Sequence, residues 1–262
     1  MIGGPYRQNA KAAIQNRIAR LEGLPRCAVP GCTRPTMVEA GVGLGAYHCR
    51  YHVQYKARHG SLWCPSIKAG DLRPYVKAAS RWIRQNRNNR EIAFALQWLR
   101  GLLDSAGPVR RTDEIRRKSA TERAKVAFAR LREAGIKPER LLAIHLGVTA
   151  NIADDPDSHR VEEYRVVQVA KAVHRLASGT HQRWNWPMSD GTTRVIAMHD
   201  YPKSSGRVLR VIGRAIEEAC REATAQGLQA VRDLKTSNYG PHPSRLPGWL
   251  PRHLRRLRGL EK

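Results

Sequence analysis

Two closely spaced pairs of metal-binding residue types lie in the N-terminal part of the chain. Cys27 and Cys32 form the first pair, and the four residues between them include a Pro-Gly dipeptide that favours a turn. Cys49 and His52 form the second pair, whose i, i+3 spacing places both side chains on one face at the start of a helix. Thiolate and imidazole are the ligands that tetrahedral zinc takes in structural sites. The pattern therefore predicts a small zinc-containing module.

The order of elements around the two pairs is that of a treble-clef zinc finger. A loop carries the first pair, residues 37–45 are long enough for a loose hairpin, and a helix carries the second pair. The run CRYHVQYKARHG at 49–60, with the upstream Cys-x4-Cys, resembles the small zinc module of phage and mobile-element proteins, which some HNH-type homing endonucleases also carry. The resemblance covers about residues 26–63. It implies zinc at Cys27, Cys32, Cys49 and His52 and a DNA-handling context, and it assigns no reaction.

The fourth ligand of this module has several candidates besides His52. The nearby alternatives are His48, His59 and Cys64. His48 adjoins Cys49 and would point elsewhere on the helix, whereas Cys64 would serve only if the helix ended early. We therefore expect His52 to complete the site, and the alternative ligands are His48, His59 and Cys64.

The charge of the chain predicts a polyanionic partner. With 47 Lys and Arg against 22 Asp and Glu, the 262 residues carry a formal net charge of +25. Residues 1–90 hold 16 basic and 3 acidic side chains and residues 178–262 hold 15 and 7, while residues 91–177 hold 16 and 12. Nucleic acid is the first candidate partner, because neutralising its phosphates releases counterions. We expect basic contact surfaces towards both ends and a scaffold between them.

The spacing of apolar residues predicts a mainly α-helical protein with one β-hairpin. Helical stripes recur along the chain, and Ser119 followed by Glu122 has the form of a capping box. Asp190-Gly191 between two alternating segments is a hairpin signal. We predict a division near Gly107 and four segments: a basic N-terminal helix in 1–25, a zinc finger plus two helices in 26–106, a helical domain in 119–237 with a hairpin near 182–198, and a basic irregular tail in 238–262.

Several basic and polar side chains are candidates for nucleic-acid contacts. On the predicted finger helix they would lie away from the metal-binding pair, where Arg and Gln can read base edges and Lys meets phosphates. Arginines at three-residue spacing extend this surface along a later helix, and a second group lies at a helix start that suits phosphate. The candidates are Arg50, Gln54, Lys56, Arg58, Arg81, Arg84, Arg87, Lys203, Arg207 and Arg210.

The sequence favours a binding protein over an enzyme, and we predict no catalytic residue. An HNH site needs a His base with an Asn and a further His or Asp that hold a catalytic metal. No asparagine occurs between Cys27 and Gln85, and the only acids there are Glu39 and Asp71. Three aspartates in 154–157 could bind Mg²⁺, but the proline among them favours a solvated turn.

The leading functional hypothesis is a zinc-containing nucleic-acid-binding protein. Its partner is expected to be double-stranded DNA, and its role that of an accessory or regulatory protein of a phage or other mobile element. The alternatives are an HNH-like endonuclease with an unrecognised site, and an RNA- or protein-binding scaffold whose finger docks a partner. A protein partner that binds through the C-terminal helical domain is also expected. No apolar run reaches the ~18 residues of a membrane span, so we expect a soluble, cytoplasmic, nucleoid-associated protein without a membrane partner.

Overall fold

The computed structural model describes most of the chain, in residues 25–37, 43–110, 112–115, 117–156, 158, 160–177, 180–200 and 205–245. Within these ranges the protein is mainly helical and contains one antiparallel two-stranded hairpin, which confirms the predicted fold class. Residues 1–24 of the predicted N-terminal helix, Lys203 and the predicted tail beyond 245 lie outside the described residues.

The chain divides into two compact units, Met1–Cys64 and Pro65–Lys262. This division falls well before the linker that the sequence analysis places near Gly107. The two helices predicted together with the zinc finger belong instead to the second unit. The physical reason is that their apolar faces pack against helices from later in the chain.

The described part of the first unit is built from a loop and two helices. Arg26 and Pro35 form an isolated antiparallel bridge that closes the loop. The one-turn helix α1 (Leu44–Tyr47) and the longer α2 (Arg50–His59) follow. Helix α2 ends at Gly60, whose φ of 77° places it in the left-handed region, and the Gly60 N–H donates to the Lys56 carbonyl.

The second unit contains seven further helices and the hairpin among its described residues. In chain order they are α3 (Ala69–Gln85), α4 (Arg90–Asp104), α5 (Thr112–Ile115), α6 (Ala120–Glu133), α7 (Pro138–Asp154), α8 (Glu162–His174), β1 (Thr180–Pro187), β2 (Thr193–Asp200) and α9 (Gly206–Tyr239). Short 3₁₀ turns follow α8 at Arg175–Ala177 and α9 at Pro243–Arg245.

Local sequence signals set several of these boundaries. The predicted capping box is present, since the Ser119 side chain accepts from the Glu122 N–H and the Glu122 carboxylate accepts from the Ser119 N–H. The side chains of Asn89 and Ser205 likewise accept hydrogen bonds from backbone N–H groups and so cap the starts of α4 and α9. The hairpin is also confirmed, with Trp186 opposite Arg194 and the Asp190 carboxylate accepting from the Thr192 N–H in the turn.

Helix α7 is the centre of the second unit. Every residue in 141–152 is buried, and α3, α4, α8 and α9 all pack against this helix. A helix that is buried on all sides has to be apolar around its circumference, and α7 is so except for a few polar residues. One of these, His145, belongs to a cluster of polar side chains in the core.

Helix α9 approaches its neighbours closely at two glycines. A Cβ atom at Gly213 would lie 2.2 Å from the Val166 carbonyl oxygen of α8. A Cβ atom at Gly227 would lie 2.4 Å from the indole ring of Trp82 in α3. These glycines therefore allow the 34-residue helix to lie against α8 and α3.

His145, Glu217, Arg165 and Thr224 form the polar cluster between α7, α8 and α9. His145 Nε2 lies 2.9 Å from a Glu217 carboxylate oxygen, and its Nδ1 lies 2.9 Å from the Thr224 hydroxyl. Arg165 forms an ion pair with the same carboxylate. Burial alone would raise the pKa of Glu217, but hydrogen bonds from His145 and Arg165 and their charges outweigh it and lower the pKa to about 2.

We predict that Gly213→Ala destabilises the second unit. The new methyl group would collide with backbone, and such overpacking costs about 1–3 kcal/mol. Gly101→Ala is the matched control, because nothing lies within 4 Å of its Cβ position and alanine favours a helix interior by about 0.5–1 kcal/mol. Urea unfolding followed by circular dichroism measures both. Equal changes in the two variants would contradict the close packing of α9 on α8.

We also predict that the stabilisation by Glu217 depends on pH. Because its folded-state pKa is lowered from 4.5 to about 2, the ionised carboxylate stabilises the fold above pH 4.5, and this contribution is lost as the pH falls towards 2. Glu217→Gln should therefore lower the free energy of unfolding at pH 7 by up to about 3 kcal/mol and by much less at pH 3. The matched control is Glu218→Gln at the exposed neighbouring position, which should change the free energy of unfolding by less than about 0.5 kcal/mol. A pH-independent loss in Glu217→Gln would contradict the assignment.

Candidate metal centre

The four predicted ligands come together in the first unit. Their ligand atoms all lie within 4.8 Å of one another. Cys27 Sγ is 3.2 Å and Cys49 Sγ is 3.5 Å from His52 Nδ1, and Cys32 Sγ is 3.9 Å from Cys49 Sγ. The three cysteines are free thiols. This Cys₃His cluster can hold a metal ion.

The first ligand pair lies on a turn that the local sequence dictates. The Cys32 N–H donates to the Val29 carbonyl at 3.0 Å, and Gly31 has a φ of 76°. A type II turn typically has proline at its second position and a glycine in the left-handed region at its third position. The Cys27 N–H donates to the Arg34 carbonyl across the loop, so both sulfurs are held on a short closed segment.

The second ligand pair lies at the start of α2. Cys49 is the N-cap residue and His52 lies in the first turn, where the i, i+3 spacing directs both side chains to one side. The Ala28 N–H donates to the Tyr47 carbonyl at 2.9 Å and joins the loop of the first pair to the segment before α2. Backbone hydrogen bonds therefore bring the two pairs to one point.

The cluster also forms the buried core of the described part of this unit. Cys27, Val29 and Cys49 are buried, and Cys32 and Leu62 pack against them. Three of these five residues are ligands, so the module has little apolar core apart from the cluster itself.

The electrostatics of the thiols favour a bound cation. Burial raises the pKa of Cys27, but N–H groups of Cys49 and Val29 that stabilise its thiolate outweigh burial and lower the pKa. For Cys32 the N–H of Arg34 lowers the pKa, but burial and the neighbouring thiols outweigh it and raise the pKa. Like charges crowd each other when these thiols ionise, and a cation among them removes that repulsion.

The imidazole of His52 is kept in its metal-binding form. Burial lowers its pKa, and the nearby charges of Arg34 and His48 lower it further. A neutral ring offers a nitrogen lone pair to a metal, whereas an imidazolium does not.

The alternative fourth ligands lie elsewhere. His48 Nδ1 is 3.1 Å from the Leu44 carbonyl oxygen, and the His59 ring stacks on Tyr55 with centroids 4.2 Å apart. Cys64 is buried, and its backbone N–H donates to the Ser61 hydroxyl. Among the described residues, the group that satisfies metal-site distances contains His52 and none of these three.

The predicted nucleic-acid residues of α2 divide into two sets. Arg50, Gln54 and Arg58 are exposed and follow one another at four-residue spacing on one side of the helix. Lys56 lies differently from the expectation, because it is half-buried and its position four residues after His52 places it on the ligand side.

One basic residue beside the cluster was not predicted. Arg34 is exposed, and its guanidinium lies 4.5 Å above the centroid of the Tyr51 ring, which is itself 50% exposed. The position of Arg34 two residues after Cys32 could have predicted this location, because a residue in the ligand loop is held close to the site.

The predicted arginines of α3 and the segment after it lie on the surface of the second unit. Arg81 donates to the Asn238 side-chain oxygen at 3.1 Å. Arg84 is exposed, and Arg87 lies 3.6 Å from a Glu139 carboxylate oxygen in an exposed ion pair.

Of the basic residues predicted at the start of α9, the structure describes Arg207 and Arg210, and these two differ in their surroundings. Arg207 is exposed, but Arg210 forms an ion pair with Glu163 and donates to the Gly206 carbonyl at 2.8 Å. Lys203 lies outside the described residues.

Asp154 also differs from the solvated turn expected for 154–157, because it is buried and accepts from the Tyr75 hydroxyl and the Arg232 Nε.

Comparisons of the chain with protein-family models, curated proteins and solved structures found no match in any of the three. In the described part of the chain, no helix combines the length and the apolar character that crossing a membrane requires. The function is therefore inferred from the residues of the chain.

We predict that His52→Ala reduces the bound metal and that His48→Ala does not. His52 supplies one of four converging ligand atoms, whereas His48 is turned towards the Leu44 carbonyl oxygen. Elemental analysis of the purified full-length variants gives the metal content per chain, and wild-type protein should carry about one ion. A loss of metal in His48→Ala with full content in His52→Ala would contradict the assigned ligand set.

Proposed function

We propose that the Cys₃His cluster binds a structural zinc ion. In tetrahedral zinc sites with Zn–S near 2.3 Å and Zn–N near 2.05 Å, neighbouring ligand atoms lie about 3.8 Å apart for two sulfurs and about 3.5 Å for sulfur and nitrogen. The corresponding distances of 3.9 Å for Cys32–Cys49 and 3.2 and 3.5 Å for His52 are close to these values. Four protein ligands also leave no open position, which is typical of a structural rather than a catalytic zinc.

The proposed zinc module is of the treble-clef type. The order of a turn bearing the first pair and a helix bearing the second pair supports this, together with the resemblance of residues 26–63 to phage and mobile-element modules. With so few buried apolar side chains, zinc binding would supply most of the folding free energy of the described module.

The function that we propose for the protein is binding of double-stranded DNA. The observation that carries this proposal is the exposed row of Arg50, Gln54 and Arg58 on the helix whose first turn the zinc ligands anchor. Arg and Gln are the side chains that bind guanine and adenine edges through two hydrogen bonds, and the major groove admits an α-helix. The net charge of +25 adds a sequence-independent attraction to phosphate.

We further propose a regulatory or accessory role in a phage or other mobile element, which follows from the resemblance of the module.

Binding is favoured over DNA cleavage for a chemical reason. Residues 25–37 and 43–64 contain no carboxylate, so the described module offers no oxygen ligands of the kind that Mg²⁺ prefers.

We predict that replacing Arg50, Gln54 and Arg58 together with alanine weakens binding to a selected duplex by about 100-fold or more, since each of the three lost base contacts costs about 1–3 kcal/mol. Fluorescence anisotropy with 30-base-pair duplexes selected from a random library measures the affinity. Removing zinc with a chelator should weaken wild-type binding at least as much.

The double variant Arg50→Lys, Arg58→Lys is the matched control, because it keeps both charges and loses the planar two-hydrogen-bond geometry. It should bind random duplex as wild type does and lose preference for the selected one. An RNA duplex of the same sequence serves as the competitor that separates DNA from RNA binding. Affinity that neither chelation nor the triple variant changes, or tighter binding to the RNA duplex, would contradict the proposal.

A further inference from the structure

Two adjoining cavities lie on the surface of the second unit. The first, of about 620 Å³, lies where the C-terminal part of α3 meets the N-terminal end of α7. The second, of about 390 Å³, lies between the N-terminal half of α3, α7 and the end of α8. Arg140 lines both cavities, so they form one continuous face along α3.

Basic side chains dominate the first cavity. Arg84, Arg87, Lys137 and Arg140 all line it, and the acidic group in its wall is Glu139. This carboxylate is engaged with Arg87 at 3.6 Å, and two-thirds of the Arg87 side chain remains exposed. The cavity therefore carries an excess of about three positive charges.

The second cavity is basic as well. Arg73, Lys77, Arg140 and Arg175 line it, and none of its described lining residues is acidic. The rest of its wall is largely apolar, with Leu72 and Val76 among the lining residues. Apolar walls fit the hydrocarbon stems of Lys and Arg, whose charged ends extend outwards.

The cations of α3 follow one stripe of the helix. Arg73, Lys77 and Arg84 are separated by four and seven residues, which are spacings of one helical face. Eleven residues at 1.5 Å each cover about 16 Å. A DNA strand carries one phosphate per about 3.4 Å of axis, so the stripe matches the length of several consecutive phosphates.

The clustering of these charges calls for an anionic partner. In the portion of the chain that the structure describes, Arg73, Arg84, Lys137 and Arg140 take part in no ion pair. Like charges held close together repel one another and lower the stability of the fold unless an anion neutralises them. Such a surface is typical of one that contacts a polyanion.

We propose that Arg73, Lys77, Arg84, Arg87, Lys137 and Arg140, here called the α3–α7 cationic face, bind the phosphate backbone of double-stranded DNA. This inference rests on the proposed function and assigns to the helical unit a sequence-independent contact that does not involve the zinc ligands. Arg84 and Arg87 were candidates from sequence, whereas the other four residues join them only through the fold.

A charge-reversal experiment on the full-length protein tests this face. The triple variant Arg84→Glu, Lys137→Glu, Arg140→Glu should bind random 30-base-pair duplex about 500-fold more weakly at 0.1 M salt, since each of the three phosphate contacts contributes about eight-fold. The slope of log affinity against log salt should fall by about three. The matched control is Arg100→Glu, Lys125→Glu, Arg221→Glu, three exposed cations of the same unit that line neither cavity, and its affinity should fall less than about five-fold.

Lysine protection provides a second measurement that does not depend on how a variant folds. In wild-type protein, saturating DNA should slow acetylation of Lys77 and Lys137 at least five-fold and leave Lys125 unchanged. Equal effects of the two triple variants, or equal acetylation of Lys77 and Lys137 with and without DNA, would overturn the α3–α7 cationic face and leave the proposed function standing. Wild-type protein that binds no duplex at low salt would overturn the proposed function itself.

Discussion

Convergence of four ligand atoms is the constraint on which the first unit depends. The apolar core of its described part is a small cluster of Cys27, Val29 and Cys49, with Cys32 and Leu62 packed against them. A core of that size cannot offset the entropy of ordering the surrounding loops. Three thiols whose sulfur atoms lie within 4.8 Å of one another and of an imidazole nitrogen repel each other once they ionise. Under our proposal, a zinc ion replaces this repulsion between thiolates with attraction to the metal. The ion therefore holds the turn that carries the first pair and fixes the start of α2.

The second unit is stabilised in a different way. Its centre is α7, which is buried throughout 141–152, and glycines of α9 allow close packing around it. The His145–Glu217–Arg165 cluster is satisfied by partners from three helices, so it adds a pH-dependent contribution and places no unpaired charge in the core. The surface charges of this unit that we propose to contact DNA are those of the α3–α7 cationic face.

The sequence predicted the features that local chemistry determines. The turn around Pro30 and Gly31, the capping box of Ser119 and the Asp190-Gly191 hairpin each need only a few neighbouring residues, and all three are present. The convergence of Cys27, Cys32, Cys49 and His52 was predictable because zinc ligands occur at characteristic spacings. Features that depend on distant residues were not predictable. Arg210 pairs with Glu163, 47 positions away, and α3 joins the second unit because it packs on α7 and α9.

Zinc K-edge X-ray absorption of the full-length protein, purified without added metal, tests the central claim most directly. The account predicts a first coordination shell of three sulfurs near 2.3 Å and one imidazole nitrogen near 2.05 Å, with about one zinc per chain. A shell of oxygen and nitrogen ligands only, a shell of four sulfurs, or protein that folds fully without any bound zinc would contradict it.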